Sequence, residues 1–174
     1  MFRNMRRGRQ ALPEAESLAI LARGSHGVLA VLGDEGWPYA VPLNYLWHEG
    51  SLYFHCARAG HKYEAVKACP RASFCVVDSS EVVPEDYSTD YRSVIVFGRV
   101  RELTESAEKR RAIELLAQKF APDDSAEHRA AAIDGYWDSL CVLELRVEHL
   151  SGKESAAWPK SAAANKPGQS PGPS

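Results

Sequence analysis

The stretch from His26 to Cys56 reads HGVLAVLGDEGWPYAVPLNYLWHEGSLYFHC, and it decides the fold class. Three apolar runs, His26–Gly33, Tyr39–Trp47 and Leu52–Cys56, are separated by the turns Gly33-Asp34-Glu35-Gly36 and Glu49-Gly50. Short polar turns between β-rich runs define an antiparallel meander. Pro42 lies inside the second run. It has no N–H to give a ladder, so that strand lies at an edge, carries a bulge or bends.

Working outward, Ala72–Asp78 and Arg92–Leu103 read as a fourth and a fifth strand. Leu140–Leu150 reads as a sixth, with Cys141, Leu143, Leu145, Val147 and His149 alternating with Val142, Glu144, Arg146 and Glu148. That period predicts one buried face and one wet face. Helices are predicted from Pro13 to Gly24, from Gly60 to Pro70, over Thr104–Phe120 with Thr104 or Ser106 as cap, and over Ser125–Ser139. The expected fold is mainly β with inserted α-helices: a six-stranded antiparallel barrel, incompletely closed.

Length and composition agree. The chain has 174 residues, 25% of them charged and 45% hydrophobic, which fits one soluble globular domain. The net charge of −2 argues against a nucleic-acid binder. No apolar run approaches a membrane span, and no apolar segment follows the basic start as in a secretory signal, so a cytoplasmic protein is expected. The domain is placed at residues 11–154. Residues 1–10 carry four arginines and read as a solvated basic arm, or as one lying across a partner subunit. Residues 155–174 hold four prolines and one large apolar residue, Trp158, and read as a disordered tail. Cys56, Cys69, Cys75 and Cys141 form no C-x-x-C pair and read as reduced, mostly buried thiols.

Dinucleotide, P-loop, nucleophile-elbow and zinc-protease motifs are all missing. His55 and His61, with Cys56, have the one compact metal-ligand spacing, but nothing supplies a supporting carboxylate, so no metal is expected. The informative segment is Leu52–Val66. A strand ends near Cys56, the small residues Ala57, Ala59 and Gly60 follow, and then a helix begins. Such a junction exposes unpaired N–H groups and the positive end of the helix dipole. Arg58, His61 and Lys62 add cations there. In outline this is a phosphate-monoester site; the plainer reading is a loop with solvated basic side chains. A second segment, Pro38–Tyr45, is apolar and aromatic. A flat ligand could lie on it with Asn44 as a polar handle, although ordinary sheet packing explains it more simply.

Together these segments carry a resemblance. Trp37–Tyr45, Leu52–Ala57 with Gly60-His61-Lys62, Pro70–Val77, Tyr91–Gly98 and Glu148–Lys153 resemble, in order, the flavin-binding split-barrel superfamily. The branch is that of the pyridoxamine 5′-phosphate oxidase-related proteins, which includes the nitroimidazole resistance proteins. The resemblance implies a homodimer with two FMN molecules at the subunit interface. It puts the phosphate near His55, Cys56, Ala57, Arg58, Gly60, His61 and Lys62, and lays Val41, Pro42, Leu43, Asn44 and Tyr45 along the isoalloxazine ring. Tyr91, Arg92 and Trp137 are the candidates for completing the partner's pocket. The oxidases proper share a C-terminal Arg-Leu-x-Pro segment. Here the last strand ends in Ser151-Gly152-Lys153-Glu154, which argues against pyridoxamine phosphate oxidation itself.

The expected function is therefore an FMN-dependent oxidoreductase. It would take electrons from a reduced donor such as NAD(P)H and pass them to a small electron-poor aromatic, as a nitroimidazole reductase does. His61 or His55 could supply a proton, and each could equally serve only in phosphate or backbone hydrogen bonding. The alternative is a non-catalytic flavin or haem binding protein, with His26, His48, His128 or His149 as the axial ligand of a haem.

Overall fold

The computed structural model describes residues 2–158. In chain order the elements are α1 (Glu14–Arg23), β1 (His26–Leu32), β2 (Pro38–Asn44), β3 (Leu46–His48), β4 (Ser51–Ala57), α2 (His61–Ala68), β5 (Arg71–Val83), β6 (Ser88–Glu102), α3 (Ser106–Phe120), α4 (Ala126–Tyr136) and β7 (Leu140–Glu154). All strand pairs are antiparallel, in the order β2-β1-β5-β6-β7-β4-β3.

The expected second strand is two. It breaks at Tyr45, so β2 pairs with β1 at one end of the sheet while β3 pairs with β4 at the other. One bent strand thus bridges both edges and turns a sheet into a split barrel. The break explains why seven strands stand where six were expected. Pro42 sits in edge strand β2, opposite Val28, where a missing N–H costs least. Tyr45 fixes the bend: it is fully buried, and its hydroxyl donates to the Leu21 carbonyl of α1 at 2.8 Å.

The main core lies inside the barrel. Leu29, Phe54, Phe74, Val94, Val96, Leu143 and Leu145 fill it, and α1 contributes Ile20 and Leu21. Fully burying such a side chain contributes about 1.5–3 kcal/mol each. A second core lies outside β4 and β7, where Ile113 and Leu116 of α3 and Ile133 of α4 pack on Val142, Tyr53 and Leu140. This overturns the simple alternation expected for β7. Val142 and Glu144, predicted to be wet, are buried because two helices cover that face. The cap of α3 is neither Thr104 nor Ser106 but Glu105, whose carboxylate accepts from the N–H groups of Ala107 (3.0 Å) and Glu108 (2.7 Å). β5 and β6 also extend beyond their predicted ends into a long hairpin whose tip, Val82 to Tyr87, is exposed.

The other half of the barrel's outer surface carries no helix, and the N-terminal arm covers only its His149 end. Val28, Cys75, Ile95 and Ser151 share one ladder row, and Ala30, Ser73, Phe97 and His149 the next. These side chains point away from the core. Val28, Ile95 and Phe97 stay 37–40% exposed, and Val77 nearby 60%.

The N-terminal arm is not simply solvated. Phe2 stacks on His149 (4.7 Å between ring centroids) and lies against Phe97, and Ala11 bridges to Lys153. Of the expected disordered tail, 159–174 lie outside the described residues, while 155–158 pack. Ser155 Oγ donates to Asp90 (2.7 Å), and Trp158 lies under the Arg92 guanidinium. Of the four thiols Cys141 is fully buried, and Cys56, Cys69 and Cys75 are half-buried.

Candidate functional site

β4 ends at Ala57 and α2 starts at His61, so the chain reverses within three residues. Gly60 makes this possible: its φ of +97° lies where other residues are strained. No side chain caps α2, which leaves the first-turn N–H groups available at the positive end of the helix. Lys62 is half-buried beside them and has no ion-pair partner among the described residues.

The cationic side chains around it have different fates. Arg58 is committed to Glu102 at 3.0 Å, and the other oxygen of that carboxylate accepts from the Tyr63 hydroxyl at 2.8 Å. His61 stacks on Tyr39 (4.0 Å) with its Nε2 3.7 Å from Asp34, which fastens α2 to the β1–β2 turn. His55 is exposed at the mouth of the cleft beside the second core, where partial desolvation first, and the Lys62 charge second, lower its pKa. The Cys56 thiol is also lowered, chiefly by the neighbouring Cys141 thiol and further by Lys62, against the opposing effect of burial.

β2 divides its predicted contacts between two faces. Val41 and Leu43 pack inward on the core, whereas Pro42 and Asn44 point outward and are exposed. The Tyr45 side chain is not at the surface at all, and burial raises its phenol pKa strongly. The other candidates are scattered. Arg92 is buried and paired with Glu16 and Glu154 of its own chain. Trp137 lies under Lys109 and Arg110, and its carbonyl accepts from Lys109 Nζ at 2.8 Å. Tyr91 is half-buried beneath Lys153. The structure therefore brings together His55, Cys56, Ala57, Gly60 and Lys62, and leaves Tyr45, Arg92 and Trp137 with other partners.

Sequence reasoning missed an open apolar cleft of about 420 Å³ beside this junction, lined by His55, Ala57, Ile113, Ile133, Tyr136 and Leu140. Its walls come from α3, whose apolar periodicity signals core packing and nothing more, and from α4, which has almost no apolar face to read. A second groove, of about 750 Å³, runs under the N-terminal arm along Ile95, His149 and Lys153. Among the described residues no cluster of His, Cys, Asp or Glu could hold a metal ion, and no helix is long and apolar enough to cross a membrane. The other histidines mostly have local partners: Ser25 for His26, Glu49 for His48, Asp124 for His128 and Phe2 for His149.

A split barrel with a basic strand–helix junction defines a class of protein. Residues 13–154 match the family model described as pyridoxamine 5′-phosphate oxidase, and the chain belongs to that family. Its fold is similar to that of a candidate 5-nitroimidazole antibiotic resistance protein from Bacteroides thetaiotaomicron (TM-score 0.69, 20% identity, 83% of this chain and 86% of that one). It is also similar to a conserved hypothetical protein from Mycobacterium tuberculosis (0.75, 17%, 98% and 99%) and to an FAD and heme binding protein from Mycobacterium smegmatis (0.68, 20%, 90% and 80%). No curated protein matches the chain in sequence.

Proposed function

We propose that two copies of this chain pair through the helix-free sheet face and hold FMN between them, as a flavin-dependent oxidoreductase of small electron-poor aromatics. The observation that carries the reading is Lys62: a half-buried cation without an ion-pair partner among the described residues, beside uncapped helix N–H groups. A phosphate monoester answers both features at once. Lys62 and the first turn of α2 would hold the phosphate, and outward-facing Pro42 and Asn44 would border the ring.

When bound, FMN supplies hydride and electron transfer between a reduced donor such as NAD(P)H and an acceptor such as a nitroimidazole. The chain's own contribution is to bind, orient and exclude water. The apolar cleft next to His55 suits a small aromatic. Its lowered pKa leaves His55 as a neutral hydrogen-bonding group there, not as a standing cation. That same property favours a second reading, a flavin carrier without turnover, because His61 is packed on Tyr39 and His55 is uncharged.

A steady-state screen of FMN-loaded protein separates the two. NADH or NADPH is paired with nitroaromatics, quinones and pyridoxal compounds. Donor oxidation that depends on a nitroaromatic is the expected result. Stoichiometric FMN binding with no turnover of any acceptor would replace the enzyme by the carrier, and failure to bind FMN would overturn both.

A further inference from the structure

We propose that Cys56 and Cys141 form a peroxide-reactive thiol pair that closes into a reversible cross-strand disulfide. The two are directly opposed in the β4–β7 ladder, next to the final pair Ala57–Leu140. Opposed residues of antiparallel strands hold their Cβ atoms about 4.5–5.5 Å apart. A disulfide takes about 3.5–4.5 Å, so closure needs a shift of roughly an ångström, at a strand end where such shifts are easiest. Each thiol lies close enough to perturb the ionisation of the other.

Their environments differ in the way an attacking and a resolving cysteine require. Cys56 is partly buried at the open end of β4, next to exposed Ala57 and Arg58, so a small oxidant can approach it from the strand end. Cys141 is fully buried and reaches nothing but its neighbours. The nearby Lys62 charge favours a thiolate at Cys56, while burial and that thiolate hold Cys141 protonated.

The chemistry balances with a hydroperoxide as oxidant. The Cys56 thiolate attacks the peroxide oxygen, the O–O bond breaks, and hydroxide leaves and takes up the proton lost from Cys56. Cys56 is now a sulfenic acid. The Cys141 sulfur then attacks Cys56 Sγ, its proton goes to the departing oxygen, and water leaves. Two thiols have become one disulfide, and the peroxide has become two waters. A dithiol reductant reverses it. Both sulfurs belong to the barrel strands, so this pair does not depend on the flavin reading.

The test treats the full-length native protein with hydrogen peroxide, blocks free thiols in acid and maps peptides without reductant. The expected product is a Cys56–Cys141 linked pair, lighter by two hydrogens and restored by dithiothreitol. Cys69 and Cys75 stay alkylatable, with Cys56 consumed about tenfold faster than Cys75, in line with its thiolate character. In Cys141→Ser, dimedone should trap the sulfenic acid on Cys56. The proposal is overturned if Cys56 goes on to sulfinic acid while Cys141 keeps its thiol, or if Cys56 reacts no faster than Cys75.

Discussion

Lys62 is the residue on which the binding argument turns. A hydrogen bond to a charged group is worth about 1.5–3 kcal/mol, so Lys62→Ala should weaken FMN binding roughly ten- to a hundredfold in a fluorescence titration. Unchanged affinity would put the phosphate elsewhere. Tyr45 makes the complementary case. Its hydroxyl is spent on Leu21, so Tyr45→Phe should cost about 1–3 kcal/mol of stability by denaturant titration and leave FMN affinity per folded protein unchanged. Weakened FMN binding there would restore Tyr45 as a ligand contact. His55 supplies a sign in pH. Its folded-state pKa lies below the ordinary 6.5, so the unfolded chain binds that proton more tightly. This group's contribution to stability is therefore present above the ordinary value and declines as pH falls through it. His55→Gln should flatten the decline in a pH series of unfolding free energies, and an unflattened series would refute the assignment. Residue types at the junction were legible because Gly60 and the cations are contiguous. Their commitments were not. Arg58 is tied to Glu102, 44 positions away, and Arg92 to Glu16, 76 away, and no local pattern encodes such pairings.

Among the elements, β6 and β7 approach each other tightly at Gly98. A Cβ on Gly98 would overlap the backbone carbonyl of Arg146, and backbone cannot swing aside as a side chain can. The site adjoins a bulge, where the register shifts between Phe97 and Gly98. Gly98→Ala should therefore destabilise the barrel by about 1–3 kcal/mol, a fall in melting temperature of several degrees. A melting temperature within a degree of the wild type would show that the bulge relaxes freely. Elements with one solvated face were readable. α1 follows its hydrophobic period, and Gly24 ends it as expected. The reading failed where tertiary structure supplied the burial. β7 lost its wet face to α3 and α4, and the exposed outer half of the β5–β6 hairpin has too polar a sequence to read as strand.

At the scale of the whole molecule, the bend at Tyr45 closes the barrel, and the helices of the second core cover one side of it. The remaining face, with Val28, Val77, Ile95 and Phe97 partly exposed, is the one through which the proposed pairing would run. A two-fold axis would set the same patch against itself and supply the wall that a flat ligand needs. Dimer formation and FMN binding are then linked, each favouring the other by mass action. Sedimentation velocity across a dilution series, read at the flavin absorbance, tests this directly, with Ile95→Glu as the interface variant. The account predicts that flavin sediments with a dimer, that FMN shifts dissociation to lower protein concentration, and that Ile95→Glu gives a folded monomer without flavin. A flavin-saturated wild-type species sedimenting at the mass of one chain would contradict it.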